Sequence, residues 1–224
     1  PVFTSSATFS VDENQTSIGT VTATDGDVSD TVTFTVSGSE IVITSGGVLT
    51  FAAAPDYETK SSYTATVTAS DGTNTTEQNI TINVTNLNDN SPVFTSGATF
   101  SAAENQTTIG TVTASDADGD TLSYSISGTD ASSMSINSST GALVFNSAPD
   151  YETKSTYTAT VTASDGTNTT EQNITVNVTN LNDNSPVFTS SATFSVDENQ
   201  TSIGTVTATD GDVSDTVTFT VSGS

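Results

Sequence analysis

The sequence repeats itself, and that limits its fold more than any other feature. Pro1, Pro92 and Pro186 each open the same PVFTS, at spacings of 91 and 94 residues. Residues 1–39 and 186–224 are identical letter for letter. Residues 54–96 and 148–190 differ only at Ser62/Thr156 and Ile82/Val176. The middles, roughly 37–53 and 125–147, diverge in length and sequence. A repeat of this size is one structural unit used again. The chain therefore reads as two whole units, 1–91 and 92–185, and the incomplete start of a third, 186–224.

Within each unit the hydrophobic period is two. Tyr63, Ala65, Val67 and Ala69 alternate with Thr64, Thr66 and Thr68, and Ile80, Ile82 and Val84 alternate with Thr and Asn. That alternation marks strands with one buried and one wet face. β-Branched Thr and Val favour the extended backbone, and DGD, SGG, APD, SDG and LND supply turns at short intervals. About seven strands per unit are expected, the pattern of a Greek-key sandwich. With only 32% hydrophobic residues, thin sandwiches suit the chain better than one large core. Thr-x-Thr ladders also occur on ice-binding faces, but Thr is an ordinary wet-side strand residue.

Charge and missing residue types exclude several functions. Lys60 and Lys154 stand against 26 Asp and Glu, a formal net charge of −24. Such a surface does not neutralise phosphates, so nucleic acid is excluded as a partner. There is no Cys for a disulfide, and no His to serve as zinc ligand or as base for a Ser nucleophile. No apolar run is long enough for a membrane span or signal peptide, so any targeting segment is expected outside the stretch that opens at Pro1.

The acids fall at fixed places in each unit. Glu13 in DEN matches Glu104 in AEN. An Asp-x-Asp pair follows, Asp25 and Asp27, then Asp116 and Asp118. The DYE triplet gives Asp56 with Glu58, then Asp150 with Glu152. SDG gives Asp71 and Asp165, and each unit closes on NLNDN. Hard divalent cations want six to eight oxygens from such groups. An EF-hand fits poorly, since the Gly of DADGD is misplaced and Ser127 holds the position of the closing Glu. A glycosidase acid–base pair fits poorly too, because every candidate pair recurs in each unit. No enzymatic activity is expected.

The order xEN, DxD, DYE, A-x-D-G and NDN-x-P-x-F resembles cadherin repeats, specifically the tandem arrays of bacterial cell surfaces. The resemblance spans the chain and implies an all-β fold of tandem seven-stranded cadherin/Ig-like sandwiches in an elongated array. It also implies Ca2+, two or three ions per junction. The first junction would take Glu13, Asp56, Glu58, Asn86, Asn88 (by its backbone carbonyl), Asp89 and Asn90, with Asp116, Asp118 and Asp165 from the second unit. The second would take Glu104, Asp150, Glu152, Asn180, Asn182, Asp183 and Asn184, with Asp210 and Asp212. Asp25, Asp27 and Asp71 are the matching candidates of unit one. Asn86 and Asn180 stand where the family linker begins with Asp, which lowers the charge and leaves two-ion occupancy open.

The function implied is a calcium-stiffened extracellular spacer or filament segment of a bacterial surface adhesin. Its partners would be neighbouring repeats of the same or an identical chain. The alternative is that the repeats themselves self-associate or bind glycans or another cell surface. The third unit is expected to offer only its first strands, completed by neighbouring chain.

Overall fold

The computed structural model describes residues 1–27, 29–212 and 215–223. In the first repeat the alternating segments become β1 (Val2–Phe3), β2 (Thr8–Asp12), β3 (Ser17–Thr20), β4 (Ala23–Thr24), β5 (Thr33–Val36), β6 (Ile41–Ile43), β7 (Val48–Phe51), β8 (Ser62–Ser70) and β9 (Thr75–Thr85). One sheet runs β2-β9-β8-β5 and the other β3-β7-β6, with β1 paired to β4. The expected seven strands appear as nine segments because the first two each break once. At the second break the chain changes partner: Val21 N–H donates to Gly47 O at 2.8 Å, while Thr22 O accepts from Thr4 N–H at 2.8 Å.

The period of two decides what is buried. Val67, Ala69, Ile80, Ile82 and Val84 point inward and share one core with Phe34, Ile41, Leu49 and Phe51 from the other strands and with Val21 from the break between β3 and β4. Burying each large aliphatic side chain contributes about 1.5–3 kcal/mol. The outward residues pair across strands: Thr66 Oγ1 donates to Asn79 Oδ1 at 2.8 Å, and Thr160 repeats the bond to Asn173 at 2.8 Å. The β6–β7 turn needs glycine. Gly47 lies at φ 89°, and a Cβ there would meet Val21 O at 2.2 Å.

The second repeat follows the same plan from β10 (Val93–Phe94) and β11 (Thr99–Ala103) to β17 (Thr156–Ser164) and β18 (Thr169–Thr179). Parallel pairing of β11 with β18 reproduces that of β2 with β9. The divergent middle holds a short 3-10 turn, Ala131–Ser133; no α-helix occurs among the described residues. Both lysines are consumed inside their repeats. Lys60 pairs with Glu40 at 2.6 Å and lies 4.2 Å from the centre of the Tyr63 ring. Lys154 pairs with Asp130 and lies 4.7 Å from that of Tyr157. Neither cation is left to form a basic patch.

Residues 186–224 offer less than the first strands expected of a third unit. Among the described residues they form only β19 (Val187–Phe188) and β20 (Ala208–Thr209), paired with each other. The reason is in the first repeat. There β2 pairs with β9, β3 with β7 and β5 with β8, all beyond residue 39, and only β1 with β4 closes within the first 39 residues.

The compact units do not follow the sequence repeats. The first holds residues 1–90 together with 117–120, and the second holds 91–116 with 121–224.

Candidate metal centre

Glu13 anchors the first acidic cluster. It follows the inward-facing Val11 on the turn after β2, so its side chain enters the end of the sandwich, where it is 1% exposed. A buried carboxylate needs donors, and both of its oxygens have one: Oε1 accepts from Leu87 N–H at 2.8 Å and Oε2 from Tyr57 N–H at 2.8 Å. These bonds fix the DYE turn and the start of the NLNDN linker against the strand end. Carboxylate oxygens of Glu13, Glu58, Asp89 and Asp118 then lie within 4.8 Å of one another.

Asp118 is the residue that spacing alone could not place. It belongs to the second repeat by sequence and to the first compact unit by structure. Its Oδ2 accepts from the backbone N–H of Asp89 at 3.1 Å and of Asn90 at 2.9 Å, and Asn90 Nδ2 donates to Oδ1 at 2.9 Å. The Asn90 amide, helped by the linker N–H groups and opposed by burial, holds the Asp118 carboxyl below the usual aspartate range. Burial first, and then the Glu13 charge, push Glu58 the other way. Crowded like charges with opposed shifts are a feature that cation-binding clusters share with other acidic clusters.

Oxygen donors without a proton donor fit the same purpose. Asn86 donates its amide to Asp118 O at 2.9 Å, which leaves its Oδ1 buried with no hydrogen-bond partner. A cleft of about 150 Å³ is lined by Glu13, Asn14, Asp56, Glu58, Asp89 and Asn90. The donor set is all oxygen and strongly anionic, so it suits Ca2+ and not a soft metal.

The second cluster repeats the first. Glu104 is 1% exposed and accepts from Leu181 N–H at 2.6 Å and Tyr151 N–H at 2.8 Å. It groups with Asp150 and Glu152, and Glu152 groups with Asp183 and Asp212. Asp212 is buried and accepts from Asn184 N–H at 2.8 Å and Asn184 Nδ2 at 3.0 Å. Asp210 accepts from Asp212 N–H at 3.0 Å.

Other candidates have local duties. Asp56 caps its own turn through Thr59 N–H at 3.1 Å, and Asp150 does so through Thr153 N–H at 3.1 Å. Asp71 and Asp165 hold their SDG turns through the N–H groups two and three residues on. Asp25 groups with Asp27 and Asp30. Asp116 and Asp165 belong to the second compact unit, where both are half-buried, as is Asn180; Asn88 is half-buried in the first, and Asn182 is exposed.

Sequence reasoning missed Asn14 and Asn105. Both adopt the left-handed backbone, at φ 65° and 61°, and donate their amides to Asp89 and Asp183. The signal was an Asn after each anchoring Glu, a residue that tolerates that conformation.

Residues 98–179 match the family model "Cadherin domain". The chain is 35% identical over 113 residues to human Cadherin EGF LAG seven-pass G-type receptor 1, covering 46% of this chain and 4% of that protein. It is 36% identical over 109 residues to human Protocadherin Fat 4, covering 44% and 2%. It thus spans only a few hundredths of the length of these curated relatives. Among solved structures it is similar to mouse Cadherin-23 EC22-24, at TM-score 0.71 and 28% identity over 92% of this chain and 74% of that one. Protocadherin gammaB7 EC3-6, solved as a cis-dimer, gives TM-score 0.68 and 27% identity over 95% and 56%.

Proposed function

We propose that the chain, whose residues 98–179 match the cadherin-domain family model, is part of a calcium-stiffened extracellular spacer. Cadherin domains generally bind Ca2+ at the junctions between repeats, and cadherin repeats are typical of extracellular adhesion and spacer ectodomains. One observation carries the reading here. Asp118 comes from the second repeat, yet shares a cluster with Glu13, Glu58 and Asp89 of the first.

In this reading each acidic cluster holds Ca2+, two or three ions per junction. The first is held by Glu13, Asp56, Glu58, Asn86, Asn88, Asp89, Asn90, Asp116, Asp118 and Asp165. The second is held by Glu104, Asp150, Glu152, Asn180, Asn182, Asp183, Asn184, Asp210 and Asp212. Asp25, Asp27 and Asp71 form the matching half-site of the first repeat. The bound ion supplies positive charge that cancels carboxylate repulsion, and the residues of both repeats are tied to it. Extracellular calcium modules bind at about 10⁻⁴–10⁻³ M, which suits sea water or body fluid. The near-identical units support a spacer, since copying adds length without adding a new surface. A bacterial surface adhesin is the setting the motif order resembles, whereas the two curated relatives named above are human.

Calcium titration followed by X-ray scattering tests the proposal. Chelation is expected to broaden the interatomic distance distribution and shift its maximum dimension. Saturating calcium should restore one narrow distribution. An unchanged profile with calorimetrically bound calcium would remove the stiffening role.

Self-association of the repeats is the second reading. It is favoured by the likeness to gammaB7, whose structure is a cis-dimer. Sedimentation of the chain with and without calcium separates the two: a calcium-dependent dimer supports the second.

A further inference from the structure

We propose that the second repeat carries a cleft for one neutral sugar ring, the terminal ring of a glycan, built where its sequence departs from that of the first. The inference does not depend on the calcium reading.

Between β5 and β6 the first repeat has four residues, 37–40. Between β14 (Ser123–Ser127) and β15 (Met134–Ile136) the second has six, and three of them form the 3-10 turn Ala131–Ser133. Ala52 and Ala53 of the first repeat are also replaced, by Asn146 and Ser147. The new side chain holds the new turn. Asn146 Nδ2 donates to Ser132 O at 2.9 Å and to Met134 O at 3.2 Å, and the Asn146 N–H donates to Ser133 O at 2.9 Å. Asp130 fixes the start of the turn: it is 9% exposed, accepts from Thr158 N–H at 2.8 Å and pairs with Lys154. Beside this turn lies a cleft of about 440 Å³, within the roughly 300–1,000 Å³ of small-ligand sites. Copying a repeat adds no new surface, but this divergence does.

The lining has two kinds of surface. One part is apolar: the Tyr157 ring, packed at 63° and 4.9 Å against Phe145, with Ala148 and Pro149. The other carries the hydroxyls of Ser132, Ser133 and Ser147. A sugar ring is divided in the same way, with C–H groups on its faces and hydroxyls around its edge. An aromatic ring covers the first, and serine hydroxyls both donate to and accept from the second. Charge narrows the class. Lys154 is neutralised by Asp130, and the Asp150 carboxylate in the lining repels anions while accepting from hydroxyls. The walls are held by Asn146 and Asp130 before any ligand arrives, which lowers the cost of ordering on binding.

The test titrates the ¹⁵N-labelled 224-residue chain with the methyl glycosides of glucose, galactose, mannose and N-acetylglucosamine, to about 100 mM. At least one is expected to give saturable amide shifts at Ser133, Asn146 and Tyr157, with Ala53 and Tyr63 of the first repeat unmoved. Ser133→Ala combined with Ser147→Ala should weaken that binding about tenfold. Tyr157→Leu should abolish it, with unchanged Leu143 and Ile174 methyl signals reporting an intact fold. If Tyr157→Leu unfolds the repeat, the paired serine variant decides alone. No saturable shift with any of these sugars overturns the proposal, as do equal shifts in both repeats or variants that bind as tightly as the parent. Saturation by methyl glucuronide alone, added as the anionic probe, overturns the neutral class.

Discussion

Phe34 is 8% exposed, and Phe219, its counterpart in an identical stretch of sequence, is 51% exposed; Ile18 and Ile203 stand at 9% and 66%. The letters of 1–39 and 186–224 are the same, so local propensity is the same. What differs is company. In the first repeat β7, β8 and β9 supply the ladder partners and the facing half of the core, and among the described residues 186–224 pairs with no such strands. Only the one self-contained pairing survives, as β19 with β20. A Thr-rich sheet strand specifies its face, and its neighbours decide whether it becomes a strand at all.

The strongest way to break this comparison is a matched pair of truncations. Ile18→Ala should destabilise the first repeat by about 2–4 kcal/mol, because a cavity opens in a closed core. Ile203→Ala should stay within about 0.5 kcal/mol, as exposed substitutions do. Denaturant unfolding of the two variants measures both, and equal costs would mean the two stretches are packed alike.

A second pair tests the anchoring acid. Glu13→Gln leaves a buried amide NH2 against the Tyr57 or Leu87 N–H and should cost about 1–3 kcal/mol in chelator. Glu198→Gln, at the same place in the third copy, is exposed and should cost nothing measurable by the same unfolding curves.

The smallest effect sharpens the comparison from the opposite side, since one part of 186–224 is held. Asn184 keeps the Asp212 carboxyl below the usual range, as Asn90 does for Asp118. With the folded value lowered, the stabilisation is present above the ordinary aspartate range and disappears as pH falls through the lowered value. Burial shifts Glu58 and Glu152 upward, so they take up protons first. Carboxyl ¹³C titration in chelator should show Asp118 and Asp212 as the late pair and Glu58 and Glu152 as the early pair. An Asp212 that titrates with ordinary aspartates would mean that its loop is not held.

Strands and faces were legible because alternation is a local property: Val67, Ala69, Ile80 and Ile82 can be assigned inward from a few residues of context. The anchoring Glu13 was legible through its motif. Asp118 was set beside the acids of the first repeat only through the family resemblance, and Asn14 reaching Asp89 could not be read, since those contacts join residues 28 to 75 positions apart and nothing local encodes them. The Lys154–Asp130 pair was hidden for another reason. It lies where the repeats diverge, so no second copy exposed the pattern; the first repeat solves the same need with Glu40.

The parallel pairing of β2 with β9 has a mechanical consequence. One strand lies near the entry of the repeat and the other at its exit, and they run in the same direction over five paired positions, from Thr8 with Thr81 to Asp12 with Thr85. Tension applied at entry and exit pulls them past each other, so the load falls on all the rungs together. A hairpin pulled at its open end would lose its bonds one by one, as a zipper does; this pair must shear at once.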